Sequence, residues 1–409
     1  MTQVAPKALC LCVAVILLAR GPVWADVPEA SAPEPSSTTD VGDLWRLVRH
    51  KDAPSDDEAR RFLVFAPSIG SKPSTGLNGG LSGNVAFFLG DPGSTHISSL
   101  TGGLKVSEKK QTLGGVKFAA FSKNDRWFFQ GDDRLQWTSQ NTYGLGGSAP
   151  TADASNVKYD LFHFFGTAYR NVKPGLFIGV GLNVSDHTNV QPGAGALPTW
   201  DESAYVAYDQ KHGFAVDRQT SSGTNVGLLF DTRDNAINAE RGAYASASYR
   251  TYFDGFLGGD STWQELYLDA RTYKKLTKDA RHKLAFWFLG DLVTGGTAPY
   301  LDLPATASQD RSARGYGEGR YRGEHLLYGE MEYRGALMSS GLVGLVAFLN
   351  MTTVDNAETN QKLFETFAPG AGFGFRFLLN KRSKTNLCTD YGWGKDGSRG
   401  FYLAIQEAF

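Results

Sequence analysis

Cysteine is nearly absent. The 409-residue chain has three, and Cys10 and Cys12 fall inside an N-terminal apolar run. Only Cys388 lies beyond it, and a lone thiol excludes an internal disulfide framework and a multi-cysteine metal site. Long apolar runs are also scarce. Residues 8–19 form the one marked run, too short to cross a bilayer as a helix. With Lys7 before it and Val23-Trp24-Ala25 after it, the segment reads as a signal peptide, residues 1–25, cleaved after Ala25. Cys10 and Cys12 lie within the run rather than after it, which makes them poor lipid anchors.

An excess of either charge is missing too. Lysine and arginine number 41 against 42 acids. Losing residues 1–25 removes Lys7 and Arg20 and no acid, which moves the formal charge from −1 to −3. No basic patch argues for a nucleic-acid partner. The seven histidines are scattered and sit in no nucleophile motif, and Gly-x-Ser-x-Gly does not occur. Metal-ligand spacings and phosphate-binding loops are likewise missing. The expectation is therefore no catalytic residue, no metal and no cofactor. Long helical periodicities are almost lacking as well, although mean hydropathy is negative.

What the chain has instead is glycine, 48 residues, and aromatics, 12% of the sequence. Residues 26–60 begin as a disordered leader rich in Pro, Ser and acids. A short amphipathic helix is expected at residues 43–50, with Leu44, Leu47 and Val48, under or inside a barrel mouth. From residue 61 the pattern has period two. Leu176, Ile178, Val180, Leu182 and Val184 alternate with Phe177, Gly179, Gly181 and Asn183. Phe373, Phe375 and Phe377 alternate with Gly372, Gly374 and Arg376. Arginine and glycine on one face of many strands fit a transmembrane barrel, apolar outward and polar inward, better than a soluble sandwich. About sixteen such segments, centred from Val64 to Leu403, predict an all-β, antiparallel barrel over residues 61–409. Connections alternate in length. Short turns fall at residues 90–94, 123–126, 171–175, 277–281, 338–341 and 380–385, with a longer one at 231–241. Long loops fall at 139–155, 187–223, 294–322 and 354–363. Short periplasmic turns, long outer loops and an even strand number place both termini in the periplasm. Phe401, Leu403, Ile405 and Phe409 are expected on one face of the last strand, interrupted by Glu407. This terminal pattern resembles the recognition signal of outer-membrane proteins, although a plain amphipathic strand reads much the same.

Several motifs come in a telling order. Asp231-Thr232-Arg233-Asp234 spans a turn. Arg314-Gly315-Tyr316 lies in the long loop between the eleventh and twelfth strands, and Glu330 and Glu332 follow on the twelfth. Pro369-Gly370 to Phe377 closes the series. Together they resemble the BamA/TamA bacterial surface antigen family, the barrel superfamily of outer-membrane assembly factors and two-partner secretion transporters. The resemblance covers residues 61–409. It implies that the long sixth outer loop folds into the lumen and docks its Arg-Gly-Tyr tip on the inner wall. Arg314 is then the buried cation, Gly315 permits close approach and Tyr316 packs as a plug. A buried guanidinium needs carboxylates, and Glu332, then Glu330, have the inward parity. Two residues depart from the family pattern. Asn350 stands where the family has an Asp, which removes one anion from Arg314, and the proline after the Asp231–Asp234 turn is missing. An Asp231–Arg233 pair at an exposed turn is expected to contribute only about 0–1 kcal/mol. Residues 26–60 are too few for a POTRA module, so the resemblance is to the barrel half.

Three functions follow from this reading. The first is a POTRA-less surface-antigen barrel assisting insertion or translocation of proteins or lipids. The second is a passive porin-like channel or a surface-exposed structural barrel. The third, an outer-membrane hydrolase, lacks its motif. Expected partners are outer-membrane lipid, the barrel assembly machinery during biogenesis and a separate periplasmic chain; none is nucleic acid.

Overall fold

The computed structural model describes residues 38–49, 61–72, 74–193, 200–309 and 311–409. The expected signal peptide and most of the leader lie outside them. Sixteen strands follow one another: β1 (Arg61–Lys72), β2 (Gly76–Phe87), β3 (Ser98–Ser107), β4 (Thr112–Phe121), β5 (Trp127–Thr142), β6 (Ser155–Lys173), β7 (Leu176–Pro192) and β8 (Gln219–Asp231). The second half comprises β9 (Gly242–Tyr252), β10 (Trp263–Lys275), β11 (His282–Gly296), β12 (His325–Ala336), β13 (Val343–Val354), β14 (Ala368–Asn380), β15 (Thr385–Trp393) and β16 (Arg399–Ile405). Each pairs antiparallel with its neighbours in sequence, and β1 meets β16 to close the barrel. Every one of the sixteen expected centres falls within its strand.

The two faces are inverted relative to a water-soluble protein. Ile178, Val180, Phe373, Phe375 and Leu349 are exposed, whereas Asn183, Glu332, Arg376 and Asp390 are buried. Alternation along each strand therefore puts apolar side chains outward and polar ones into the barrel. On β5, Trp127 and Trp137 stand ten residues apart on the outer face, both exposed. At about 3.3 Å per residue and the usual strand tilt, that separates them by about 25 Å along the barrel axis, the height of an outer-membrane apolar band flanked by aromatic girdles.

Several expectations need correcting. The long loops are shorter than the sequence pattern suggested, because β5, β6, β7, β8 and β11 all run into them. Ser139-Gln140-Asn141 is polar on both faces, so its hydrophobic period vanishes while its backbone ladder to β6 continues. The loop between β7 and β8 also contains an unforeseen helix, α2 (Ala204–His212), which is the second of the two described. The first, α1 (Val41–Arg49), starts slightly before its expected place. Its cap is reciprocal: the Asp43 N–H donates to Asp40 at 2.7 Å and the Asp40 N–H to Asp43 at 3.1 Å. Of its two expected places, under or inside the mouth, it takes the first: it sits at the short-turn rim, tied to Ser340 and Lys381.

The C-terminal reading also changes. β16 ends at Ile405, and Gln406 turns the chain with φ 72°. Phe409 then folds inward, stacking on Trp287 at 5.0 Å, and does not share the outer face with Phe401 and Leu403. Glu407 pairs with Arg376 at 2.7 Å, so it belongs to the inner wall and interrupts no lipid face. The closing contact is brief: in register, Gly70 faces Tyr402 and Ser71 faces Phe401.

Candidate functional site

The connection between β11 and β12 is folded on itself. Arg322 donates from Nη1 to the carbonyls of Tyr300, Leu301 and Leu303, at 2.7, 3.0 and 3.1 Å. The Thr306 N–H donates to the Tyr321 carbonyl and the Gly319 N–H to the Thr306 carbonyl. One guanidinium thus gathers three carbonyls that a loose loop would leave to water.

This fold presents Arg314, Gly315 and Tyr316 to the inward side chains of β12 to β16. Arg314 is 0% exposed. Its guanidinium donates to Asp390 at 2.7 Å, to Glu330 at 2.5 Å and to Glu332, and it lies 3.7 Å over the Phe348 ring. Gly315 has φ +110°, and a Cβ there would stand 2.6 Å from the Trp393 carbonyl carbon. Both the angle and the space require glycine. Its N–H donates to the Tyr402 hydroxyl at 3.0 Å. The Tyr316 hydroxyl donates to the Pro369 carbonyl at 2.5 Å and accepts from the Lys395 N–H at 2.9 Å.

The charges continue beyond Arg314. Arg334 pairs with Glu332, and Arg376 bridges Asp390 and Glu407 at 2.6 and 2.7 Å. Arg334–Glu332–Arg314–Asp390–Arg376–Glu407 is thus one chain of alternating sign. Asp390 escaped the sequence reading, and Arg334, Arg376 and Glu407 were not placed in this network by it. Asp390 was findable in principle, as an inward-parity acid within Thr385–Trp393. Asn350 corrects an expectation. It does not stand in for an anion at the guanidinium; its amide donates to the Arg314 backbone carbonyl at 3.3 Å. The third carboxylate comes from Asp390 instead.

The turn after β8 is also different from expectation. Asp231 and Arg233 form a two-pronged pair at 2.9 and 2.6 Å, and they are 3% and 7% exposed. The expected surface pair is buried because Arg233 is sandwiched against the Tyr244 ring while Ile237, further along, packs on Phe62, Ala86 and Ile97. Asp234 accepts from the N–H groups of Glu240 and Arg241 and ties the far side of the turn. His96, on the turn between β2 and β3, spans this region. Its Nδ1 meets Asp125 at 2.5 Å and its Nε2 meets the Arg233 carbonyl at 3.2 Å. Burial alone would lower its pKa, but the hydrogen bond and charge of Asp125 outweigh that and hold it above the ordinary 6.5.

Between the β8–β9 turn and the β11–β12 connection is a polar cavity of about 430 Å³. Its wall mixes Arg134, Arg250 and Arg271 with Asp132, Glu265 and Asp269, and Trp263 and Trp287 with Tyr244. Among the described residues, no group of three His, Cys, Asp or Glu is placed to hold a metal ion.

No family model matches the sequence, and no curated protein does either. The fold, however, matches solved structures. BamA from Haemophilus ducreyi lacking POTRA domains 1–3 superposes with a TM-score of 0.54 at 13% identity, over 85% of this chain and 70% of that one. CdiB from Acinetobacter baumannii gives 0.53 at 12% identity, over 85% and 60%. CdiB from Escherichia coli gives 0.53 at 12% identity, over 84% and 63%. The chain folds as a BamA- and CdiB-like barrel. This barrel spans less than two thirds of either CdiB chain. Its likeness is one of fold: sixteen antiparallel strands of the outer-membrane kind.

Proposed function

We propose that this outer-membrane barrel assists insertion or passage of proteins or lipids, that its sixth outer loop is a lumenal plug, and that its wall opens between β1 and β16. The carrying observation is an asymmetry of attachment. The Arg314-Gly315-Tyr316 tip bonds to Glu330 and Glu332 on β12, Asn350 on β13, Pro369 on β14, Asp390 on β15 and Tyr402 on β16. It makes a single board of the last five strands. Beyond that board, the described ladder between β1 and β16 is a two-residue register, with one further bond from the Ser68 hydroxyl to the Leu403 carbonyl. Gly400, early in β16, weakens pairing further. A wall stiff on one side and barely joined on the other parts at the join. BamA- and CdiB-like fold supports the same reading.

The test locks the join. Ser71→Cys with Phe401→Cys places two thiols at facing positions. In a deletion strain with a measurable envelope defect, the oxidised pair should fail to complement, and reduction should restore function. Equal complementation in both states sinks seam opening.

A further inference from the structure

We propose that α1 is a membrane foot, lying with Val41, Leu44 and Leu47 in the inner leaflet of the outer membrane and clamped to the barrel rim through Thr39, Asp40 and Asp43. On a protein bathed in water, a short amphipathic helix turns its apolar residues toward the protein and its polar ones out. Among the described residues the attachment here is polar. The Thr39 N–H donates to the Ser340 carbonyl on the β12–β13 turn at 3.0 Å. On the β14–β15 turn, the Lys381 N–H donates to Asp40 at 2.9 Å and the Lys381 ammonium to Asp43 at 2.8 Å. Meanwhile Val41, Leu44 and Leu47, each three residues after the last, are 40%, 43% and 77% exposed.

What covers this stripe is indicated by its neighbours. Leu276 and Leu337 continue the outward parity of β10 and β12 past the strand ends, and they are exposed, as is Met338. They form the periplasmic edge of the lipid-facing belt. Ser340 is two residues from Met338, so the first turn of α1 starts at that edge. At 1.5 Å per residue the nine-residue helix is about 13 Å long. That suffices to run under β12 to β14, whose spacing is about 4.8 Å per strand. The exposed stripe of α1 is then continuous with the belt, at the depth where interfacial helices rest. The occupant is phospholipid, and the fixed polar clamps set how the barrel's stiff half sits in the leaflet.

The probe is p-benzoylphenylalanine in place of Leu47 in the full chain, expressed in cells grown with radiolabelled phosphate, with Pro92 on another periplasmic turn as the control position. Both proteins are first checked for the heat-modifiable migration of a folded barrel. On irradiation, the Leu47 position should yield a radiolabelled phospholipid adduct several-fold more often than the Pro92 position. Equal labelling at the two positions would overturn the proposal. So would an adduct to a second polypeptide, whether another copy or a different protein, in place of lipid. If the Leu47 protein fails to fold, the probe moves to Leu44, which must give the same lipid adduct.

Discussion

Arg314 is the residue on which the tip of the sixth loop depends, because its charge is shared by three carboxylates that would otherwise face one another. Arg314→Ala leaves Glu332 to Arg334 and Asp390 to Arg376, and Glu330 to the Tyr328 hydroxyl alone among the described residues. Removing one partner from a buried ion cluster typically costs about 3–5 kcal/mol. The cost should appear as protease cleavage within residues 297–324 of a barrel that stays folded. Glu330→Ala should raise cleavage as well, and the double variant should be little worse than Arg314→Ala alone, since both remove one contact. Fully additive effects would show that the two act separately. Gly315→Ala should release the loop as strongly, by clash and backbone strain rather than charge. Asn350→Asp gives a sharper test, because strand position and geometry point opposite ways. Restoring the family's acid looks favourable on paper. In the structure it removes the donor to the Arg314 carbonyl and adds a carboxylate beside an acceptor. The variant should therefore loosen the loop; a tighter loop would refute the geometry. Strand parity alone placed Glu330 and Glu332 within reach of Arg314 on paper. Parity also turns Asp390 and Arg376 inward, but it does not say that Arg314 lands on Asp390, since that depends on where a distant loop tip comes to rest. Glu407 looked like a fault in a terminal strand because a single turned residue, Gln406, does not show in a pattern of period two.

At the scale of elements, strand register controls what moves. Amides of β10 and β11, paired along their whole length, should exchange hydrogen slowly. Those of β16 facing β1 should exchange much faster, because among the described residues the ladder opposite it spans Gly70 and Ser71, with one further bond from the Ser68 hydroxyl to the Leu403 carbonyl. Uniform protection around the barrel would remove the physical basis for a weak join. The β8–β9 turn carries a pH dependence of its own. Asp125 as a carboxylate and the Arg233 carbonyl both only accept, so His96 satisfies them together only as imidazolium. Asp231 and Arg233 are the other charged groups nearby, and Asp231 adds to the upward shift. A histidine whose folded pKa is raised contributes its stability fully below about 6.5 and loses it as pH rises through the raised value. Protection of residues 231–241 should therefore fall on going from mildly acidic to alkaline buffer. His96→Gln should flatten that dependence, and an unchanged profile would assign it to other groups. Strands were legible because lipid outside and polar filling inside impose the same alternation sixteen times. The extended strand ends and α2 were not, since above the membrane both faces are wet and alternation ceases to be required. Even so, α2 carries local signs: Ser203 caps its start, accepting from Val206, and Gly213 ends it at φ 79°.

For the whole molecule, the question is whether the lumen conducts. Sixteen strands enclose more room than side chains alone fill, yet the cavity that remains is about 430 Å³. Loop residues 301–309 bound it on the outer side, and Ile237 and Phe409 on the periplasmic side. If the loop plugs the lumen as proposed, ions must pass both constrictions, through a wall where guanidinium and carboxylate groups alternate. In planar bilayers the wild-type protein should therefore show small, flickering openings, set by brief departures of loop or turn. Arg314→Ala should lengthen the openings and enlarge them, since it frees the outer boundary while the strands and their lipid face stay intact. Arg218→Ala is the matched control. It also removes one arginine and one ion pair, but at the exposed outer rim, with Asp186 at 3.3 Å. It should leave conductance unchanged. A large, steady conductance from the wild-type protein, indifferent to Arg314, would mean that the loop does not obstruct the path. A passive channel would then be the better account of the same sixteen strands.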